Sequence, residues 1–115
     1  MSWRLAVKQK FAAAHYLKHY RGKCEKMHGH TFELEVHLKA EALGETGIAI
    51  DFSEIKEFLK TIVPDHQVLN EVYSFNPSAE NLARHFFVEI GRRYPVAKVT
   101  VWESENAGAS YSEDQ

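Results

Sequence analysis

Residues 3–15 and 28–39 each alternate apolar and polar side chains, and this pattern limits the fold more than any other feature of the chain. In the first run Trp3, Leu5, Val7, Phe11, Ala13 and His15 share one parity, broken only by Gln9. The other parity carries Arg4, Lys8 and Lys10 with small alanines. In the second run Phe32, Leu34, Val36 and Leu38 face one way, and Glu33, Glu35, His37 and Lys39 face the other. Period two with one apolar side is the signature of strands that bury a single face. The connection "YLKHYRGKCEKM" (16–27) is too long for a tight hairpin turn. Connections of that length in a compact domain often carry function.

Helical spacing follows. "EALGETG" turns the chain, and "IDFSEIKEFLKTIVP" then repeats Phe52, Ile55, Phe58, Leu59 and Ile62 at the period of a helix. Asp51 with Glu54 predicts a capping box, Ile50 against Ile55 a hydrophobic staple, and Pro64 a stop. "NPSAENLARHFFVEIGRRYP" predicts a second helix with Asn76 as N-cap, Pro77 at the first position and Leu82, Phe86 and Ile90 as its apolar stripe. "VAKVTVWES" alternates again, with Ala97, Val99, Val101 and Glu103 on one parity, and "AGASYS" predicts a short last strand. The order ββααββ predicts one α+β domain over residues 1–115: a four-stranded antiparallel sheet with two helices on one face. The other face, with Glu33, Glu35, His37, Lys98 and Thr100, is polar enough to meet water. A small sheet also leaves open edges, and association of several chains would remove them.

Composition excludes some classes of partner. A chain of 115 residues is one domain by size, and 44% hydrophobic with 26% charged residues is ordinary for a globular protein. A net charge of −2 gives no reason to expect nucleic acid. No apolar run approaches the roughly 20 residues of a membrane span, and "MSWRLAVKQK" lacks the apolar core of a secretory signal. One cysteine makes no internal disulfide, so a reducing, cytoplasmic setting is expected.

Seven histidines in so short a chain need explanation. His28 and His30 flank Gly29 and share the inward parity of Phe32 and Leu34, so they extend the buried face past its apolar run. His15 does the same at the end of the first strand. If the two strands pair antiparallel, the end of one meets the start of the other and three imidazoles converge. Three neutral histidines with one open position describe a catalytic zinc site, although all-imidazole ligation also suits iron, copper or nickel. His19, His37 and His85 lie at other phases and read as surface or boundary residues. Cys24 sits between Lys23 and Lys26, neighbours that favour the thiolate. Spacing alone leaves it as a fourth ligand, a base or a nucleophile. Asp65-His66 pairs a carboxylate with a group that titrates near neutral pH, and becomes meaningful if it joins Cys24 in a proton relay. Glu103 ends an apolar parity, where a carboxylate is costly unless paired. One carboxylate accepts both N–H groups of an amidine-like edge, so a planar, donor-rich ligand would suit it.

The segments "FAAAH" (11–15), "CEKMHGH" (24–30), "GIAIDFSEIK" (47–56), "DHQVLN" (65–70), "NPSAENLA" (76–83) and "VWESENAGASY" (101–111) together resemble the 6-pyruvoyl-tetrahydropterin synthase family over nearly the whole chain. The C-x3-H-G-H spacing is most similar to its 6-carboxy-5,6,7,8-tetrahydropterin synthase branch, the queuosine-pathway enzyme. Pro64 and the wording "ESENAGASY" depart from the commoner pattern. The resemblance implies the tunnelling fold (T-fold), in which subunits join their sheets into an oligomeric barrel, often a hexamer, with sites between subunits. It implies Zn2+ on His15, His28 and His30, catalysis by Cys24 with Asp65 and His66, and a pterin anchored by Glu103. The implied reaction converts 7,8-dihydroneopterin triphosphate to 6-carboxy-5,6,7,8-tetrahydropterin, acetaldehyde and triphosphate. Lys18, Arg21, Lys23 and Lys26 are candidate contacts for the triphosphate. The alternatives are the pyruvoyl-forming synthase or a related pterin side-chain lyase and, from another class, a non-catalytic zinc- or pterin-binding module. An intact Cys24, Asp65 and His66 set argues against the last, since a binder needs no relay.

Overall fold

The computed structural model describes residues 2–18 and 26–113. Cys24, His19, Arg21 and Lys23 fall outside the described residues.

The two alternating runs form the longest strands, β1 (Trp3–His15) and β2 (His28–Ala40). They pair antiparallel over their full length, from Trp3 opposite Ala40 to His15 opposite His28. At about 3.3 Å per residue, 13 residues make a ribbon about 43 Å long, which accounts for the 52 × 30 × 26 Å shape. Helix α1 (Phe52–Ile62) follows, then β3 (Gln67–Val68), a single-turn helix α2 (Leu69–Val72), helix α3 (Ala79–Gly91), β4 (Val96–Trp102) and β5 (Gly108–Tyr111).

The sheet has five strands in the order β3-β1-β2-β4-β5, not the four expected. The extra strand is two residues long and runs parallel to β1, with Gln67 opposite Ala13 and Val68 opposite Ala14. Two residues carry no period, so alternation has nothing to reveal there. The remaining pairings are antiparallel, as expected. Among the described residues there are three helices rather than two, α2 being too short for a periodic stripe.

The inward parities hold the core. Phe11, Phe32, Leu34, Val36, Leu38, Val99 and Val101 pack against Ile55 and Leu59 of α1 and Leu82, Phe86 and Ile90 of α3. Phe11 and Phe32, opposite one another on the paired strands, stack with ring centroids 5.1 Å apart. The outer parity is polar but not simply wet. Thr100 is buried and shares a 2.6 Å hydrogen bond with Ser110, and Glu35 accepts from both the His37 ring and the Trp102 indole.

Two caps differ from expectation. Asp51 does cap α1, accepting the Ser53 N–H at 2.9 Å, but the Glu54 carboxylate accepts the Tyr94 hydroxyl at 2.7 Å instead of closing a capping box. Ser78, not Asn76, caps α3, its hydroxyl accepting the Asn81 N–H at 3.1 Å. The Asn76 carboxamide is engaged elsewhere, on the backbone of Lys18.

Candidate active site

Antiparallel pairing of β1 and β2 brings the end of one strand to the start of the other, and His15, His28 and His30 meet there as their parity requires. Their ring centroids lie 4.6 to 5.3 Å apart, and one ligand nitrogen from each falls within 4.8 Å of the others. His15 is fully buried, and His28 and His30 are half-buried. The Phe32 ring makes T-shaped contacts with both His15 and His30, with centroids 5.3 Å apart in each case.

Backbone carbonyls fix the tautomers. His15 Nδ1 lies 2.7 Å from the Pro77 carbonyl, and His28 Nδ1 lies 2.7 Å from the Lys26 carbonyl. A carbonyl only accepts, so each Nδ1 carries a proton, and Nε2 is the nitrogen left to ligate. Burial, reinforced by the neighbouring His28 and His30, pushes the His15 imidazole below its ordinary range and favours the neutral form. The Nε2 atoms of His15 and His30 are buried and have no hydrogen-bond partner among the described residues. Leaving two such atoms unpaired costs about 1–3 kcal/mol each. Imidazoles that converge on one space, two of them with Nδ1 tied to a backbone carbonyl, are the donor set of a metal site. The residues present therefore fit a divalent metal.

Glu103 stands one residue beyond β4, where its N–H donates to the Ala107 carbonyl at 2.9 Å and closes the turn into β5. Its carboxylate reaches back to 3.5 Å from His15 Nε2 and is 30% exposed. With Ser78, Ala79 and Glu80 at the start of α3 it borders a cavity of about 330 Å3. Its place beside the buried face is the one its parity predicts.

Asp65 and His66 are held on the edge of β1. Asp65 Oδ1 accepts the Ala12 N–H at 2.8 Å, and the His66 N–H donates to the Ala12 carbonyl at 2.6 Å. The Ala12 N–H is the main reason the Asp65 carboxyl lies below the usual carboxylate range. The His66 ring contacts Asp65 at 3.0 Å and is 82% exposed. It borders an open cavity of about 590 Å3 with Ala12, Ala13, Ala14, Gly29, His30 and Thr31. Of the three clustered histidines only His30 borders that cavity. The structure thus brings Glu103 to the imidazole cluster but sets Asp65 and His66 along the outer edge. Lys18 and Lys26 are exposed. His37 and His85 each contact a carboxylate, Glu35 and Glu89, away from the cluster.

Sequence reasoning missed the carbonyls of Pro77 and Lys26. A backbone carbonyl has no residue-type signal, and only the fold shows which one faces an imidazole.

The fold is α+β, and at the end of its longest strand pair it carries a three-imidazole cluster that could hold a metal ion. Residues 4–114 match the family model described as 6-pyruvoyl tetrahydropterin synthase. The chain belongs to that family and is a lyase of this kind. It is 34% identical over 96 residues to a 6-carboxy-5,6,7,8-tetrahydropterin synthase from Synechocystis sp., covering 76% of this chain and 74% of that one. It is 32% identical over 114 residues to a dihydroneopterin monophosphate aldolase from Pyrococcus furiosus, covering 94% and 96%. Among solved structures, the 6-pyruvoyl tetrahydropterin synthase of Caenorhabditis elegans superposes with a TM-score of 0.86 at 22% identity, over 99% of this chain and 97% of that one. Among the described residues no helix is long and apolar enough to cross a membrane.

Proposed function

We propose that this protein converts 7,8-dihydroneopterin triphosphate to 6-carboxy-5,6,7,8-tetrahydropterin, acetaldehyde and triphosphate, with zinc on His15, His28 and His30, as a step toward queuosine or related 7-deazapurines. The observation that carries the reading is the set of three converging imidazoles, with Nδ1 of His15 and His28 on backbone carbonyls, Nε2 of His15 and His30 buried without a hydrogen-bond partner, and His15 Nε2 3.5 Å from a carboxylate suited to a pterin edge. A bound zinc ion would supply Lewis-acid polarisation of the substrate's side-chain hydroxyls and lower the pKa of their protons.

The protein's own residues do the rest. Glu103 accepts the amino and ring N–H groups of the pterin and fixes its orientation, which raises the effective molarity of the reacting groups. Cys24, as thiolate, removes a carbon-bound proton beside the ring. His66, oriented by the Asp65 carboxylate, moves protons to and from the substrate's hydroxylated arm. Lys18 and Lys26 are exposed where a triphosphate would find cations. Asp65 and His66 are exposed along the outer edge of β1, with no hydrogen bond or ion pair to the three imidazoles among the described residues, which supports a homo-oligomer, a hexamer by analogy, in which the pair of one subunit serves the metal of another.

A second reading comes from the aldolase relative, whose match spans 94% of this protein. An aldolase breaks a carbon–carbon bond within the substrate's arm and leaves phosphate on the released fragment. Incubation of the zinc-loaded protein with 7,8-dihydroneopterin triphosphate separates the two. Acetaldehyde, free triphosphate and the carboxy-pterin by mass are expected. A phosphorylated aldehyde without free triphosphate, from that substrate or from 7,8-dihydroneopterin monophosphate, would establish the aldolase reading instead, and no change in either substrate would reject both. Cys24→Ala is expected to abolish turnover with zinc retained, whereas zinc loss in that variant would make Cys24 a ligand.

A further inference from the structure

Strand β1 runs out of strand partners before its backbone stops being held in line. Its ladder with β2 ends at His15–His28, and its ladder with β3 ends at Ala14–Val68. Beyond that point the neighbouring segment turns into α2, whose first residue, Leu69, is fully buried. Its backbone forms a helical turn there and has no ladder to offer.

Two side chains take over. Asn70 Oδ1 accepts the Tyr16 N–H at 3.0 Å, and Asn70 Nδ2 donates to the Tyr16 carbonyl at 2.9 Å. Asn76 repeats the arrangement on Lys18, at 2.9 Å for the accepted N–H and 3.3 Å for the donated bond. A carboxamide has the donor and acceptor of a peptide group in one plane, so it can complete a strand residue's pairing on one edge. Tyr16 and Lys18 are two apart, so in an extended segment their N–H and C=O groups face the same edge. The register is continuous as well. Gln67 lies opposite Ala13, Val68 opposite Ala14 and Asn70 opposite Tyr16, a constant offset.

The backbone of Asn76 is anchored next to the imidazole cluster. The Asn76 carbonyl accepts from Asn81 Nδ2 at 2.9 Å and from the Ser78 N–H at 2.9 Å. The next residue, Pro77, gives its carbonyl to His15 Nδ1. One short stretch thus holds the His15 ring through Pro77 and the backbone three residues beyond it through Asn76.

We propose that Asn70 and Asn76 are positioning residues of the metal site, their carboxamides holding the backbone of Tyr16 and Lys18 just past the end of β1 so that the His15 Nε2 stays directed at His28 and His30. The proposal rests on the metal reading above. Partners that orient a ligating histidine from outside the ligand set are worth about 10–100-fold in metal affinity. Asn70→Ala and Asn76→Ala are therefore expected to raise the zinc dissociation constant of the full-length protein by about tenfold or more. They are also expected to alter the visible ligand-field bands of the cobalt-substituted protein.

Competition with a chromophoric chelator reads the first, and absorption of the cobalt form reads the second. Ile55→Val shortens a buried residue of α1 and is the destabilised control. A loss of stability alone lowers the melting temperature in all three variants and leaves zinc affinity and cobalt bands as in the wild type. That result overturns the proposal. Asn70→Asp keeps the acceptor and loses only the donor to Tyr16, so it gives the same readout should an alanine variant fail to fold. A wild-type protein that takes up neither metal would overturn the metal reading and this proposal together. Normal wild-type uptake with unchanged variants overturns this proposal only.

Discussion

Asp65 holds the Ala12 N–H at 2.8 Å, and through that one bond a surface carboxylate is tied to the strand that ends in His15. The bond favours the ionised carboxylate, so the folded pKa lies below the unfolded value. Stability from this group is therefore complete above the ordinary carboxylate pKa, about 3.9, and is lost as pH falls through the depressed folded value. Asp65→Asn keeps an oxygen for Ala12 but cannot ionise. Denaturant unfolding between pH 5 and 2 is expected to show a shallower acid loss in this variant than in the wild type. Parallel curves would mean the bond contributes nothing to acid sensitivity.

His66 adopts φ of +60°, the only positive φ outside glycine among the described residues. That left-handed turn swings the ring back onto Asp65 at 3.0 Å, although adjacent side chains on an extended strand point apart. The conformation costs a non-glycine residue about 1–2 kcal/mol, which is the kind of strain found at functional positions. His66→Gly is expected to melt at or above the wild-type temperature, the relief of strain offsetting the about 0.5–1 kcal/mol of extra backbone entropy. Turnover should fall by about 10²–10⁴-fold, the range for a lost acid–base group. A variant that melts much earlier with its turnover intact would make the histidine structural.

Glu103 stands 3.5 Å from His15 yet remains 30% exposed, so one carboxylate can serve a ligand in the adjoining cavity. Glu103→Gln keeps the shape and removes the charge, and an amide cannot accept two parallel N–H groups. The loss of a charged hydrogen bond, about 1.5–3 kcal/mol, is expected to weaken pterin binding about 10–100-fold. Titration of pterin fluorescence measures it, with zinc content checked in parallel. Unchanged pterin affinity would remove Glu103 from the binding role.

The parts of this molecule that were legible in the sequence are those where residue type repeats. Alternation defined β1 and β2, their pairing followed from parity, and the meeting of His15, His28 and His30 followed from the pairing. The same logic placed Glu103 beside the buried face. What was hidden depends on backbone groups and on competition for polar side chains. Gln67–Val68 is too short for a period, and its pairing arises because Asp65 and His66 dock on Ala12. Asn76 has the residue type of an N-cap, but Lys18 takes its carboxamide and Ser78 takes the cap. Local preference was right about the chemistry in both cases, and a long-range partner decided where it was used.

Phe32 joins the core to the site. It stacks on Phe11 at 5.1 Å and makes T-shaped contacts with His15 and His30 at 5.3 Å each, so one ring supports both the apolar layer and two imidazoles of the cluster. Phe32→Leu keeps an apolar side chain but removes ring volume and the stacking on Phe11, which destabilises by about 0.5–3 kcal/mol. The ring contacts with the imidazoles are lost as well, and a branched aliphatic residue leaves room for the rings to tilt. The variant is expected to unfold earlier than the wild type in the metal-free state, while its zinc affinity falls by about tenfold or more, in line with other supports of ligating histidines. Metal-free melting curves and chelator competition separate the two quantities. Loss of stability with zinc affinity intact would show that backbone placement alone orients His15 and His30, and that the ring beside them only fills space.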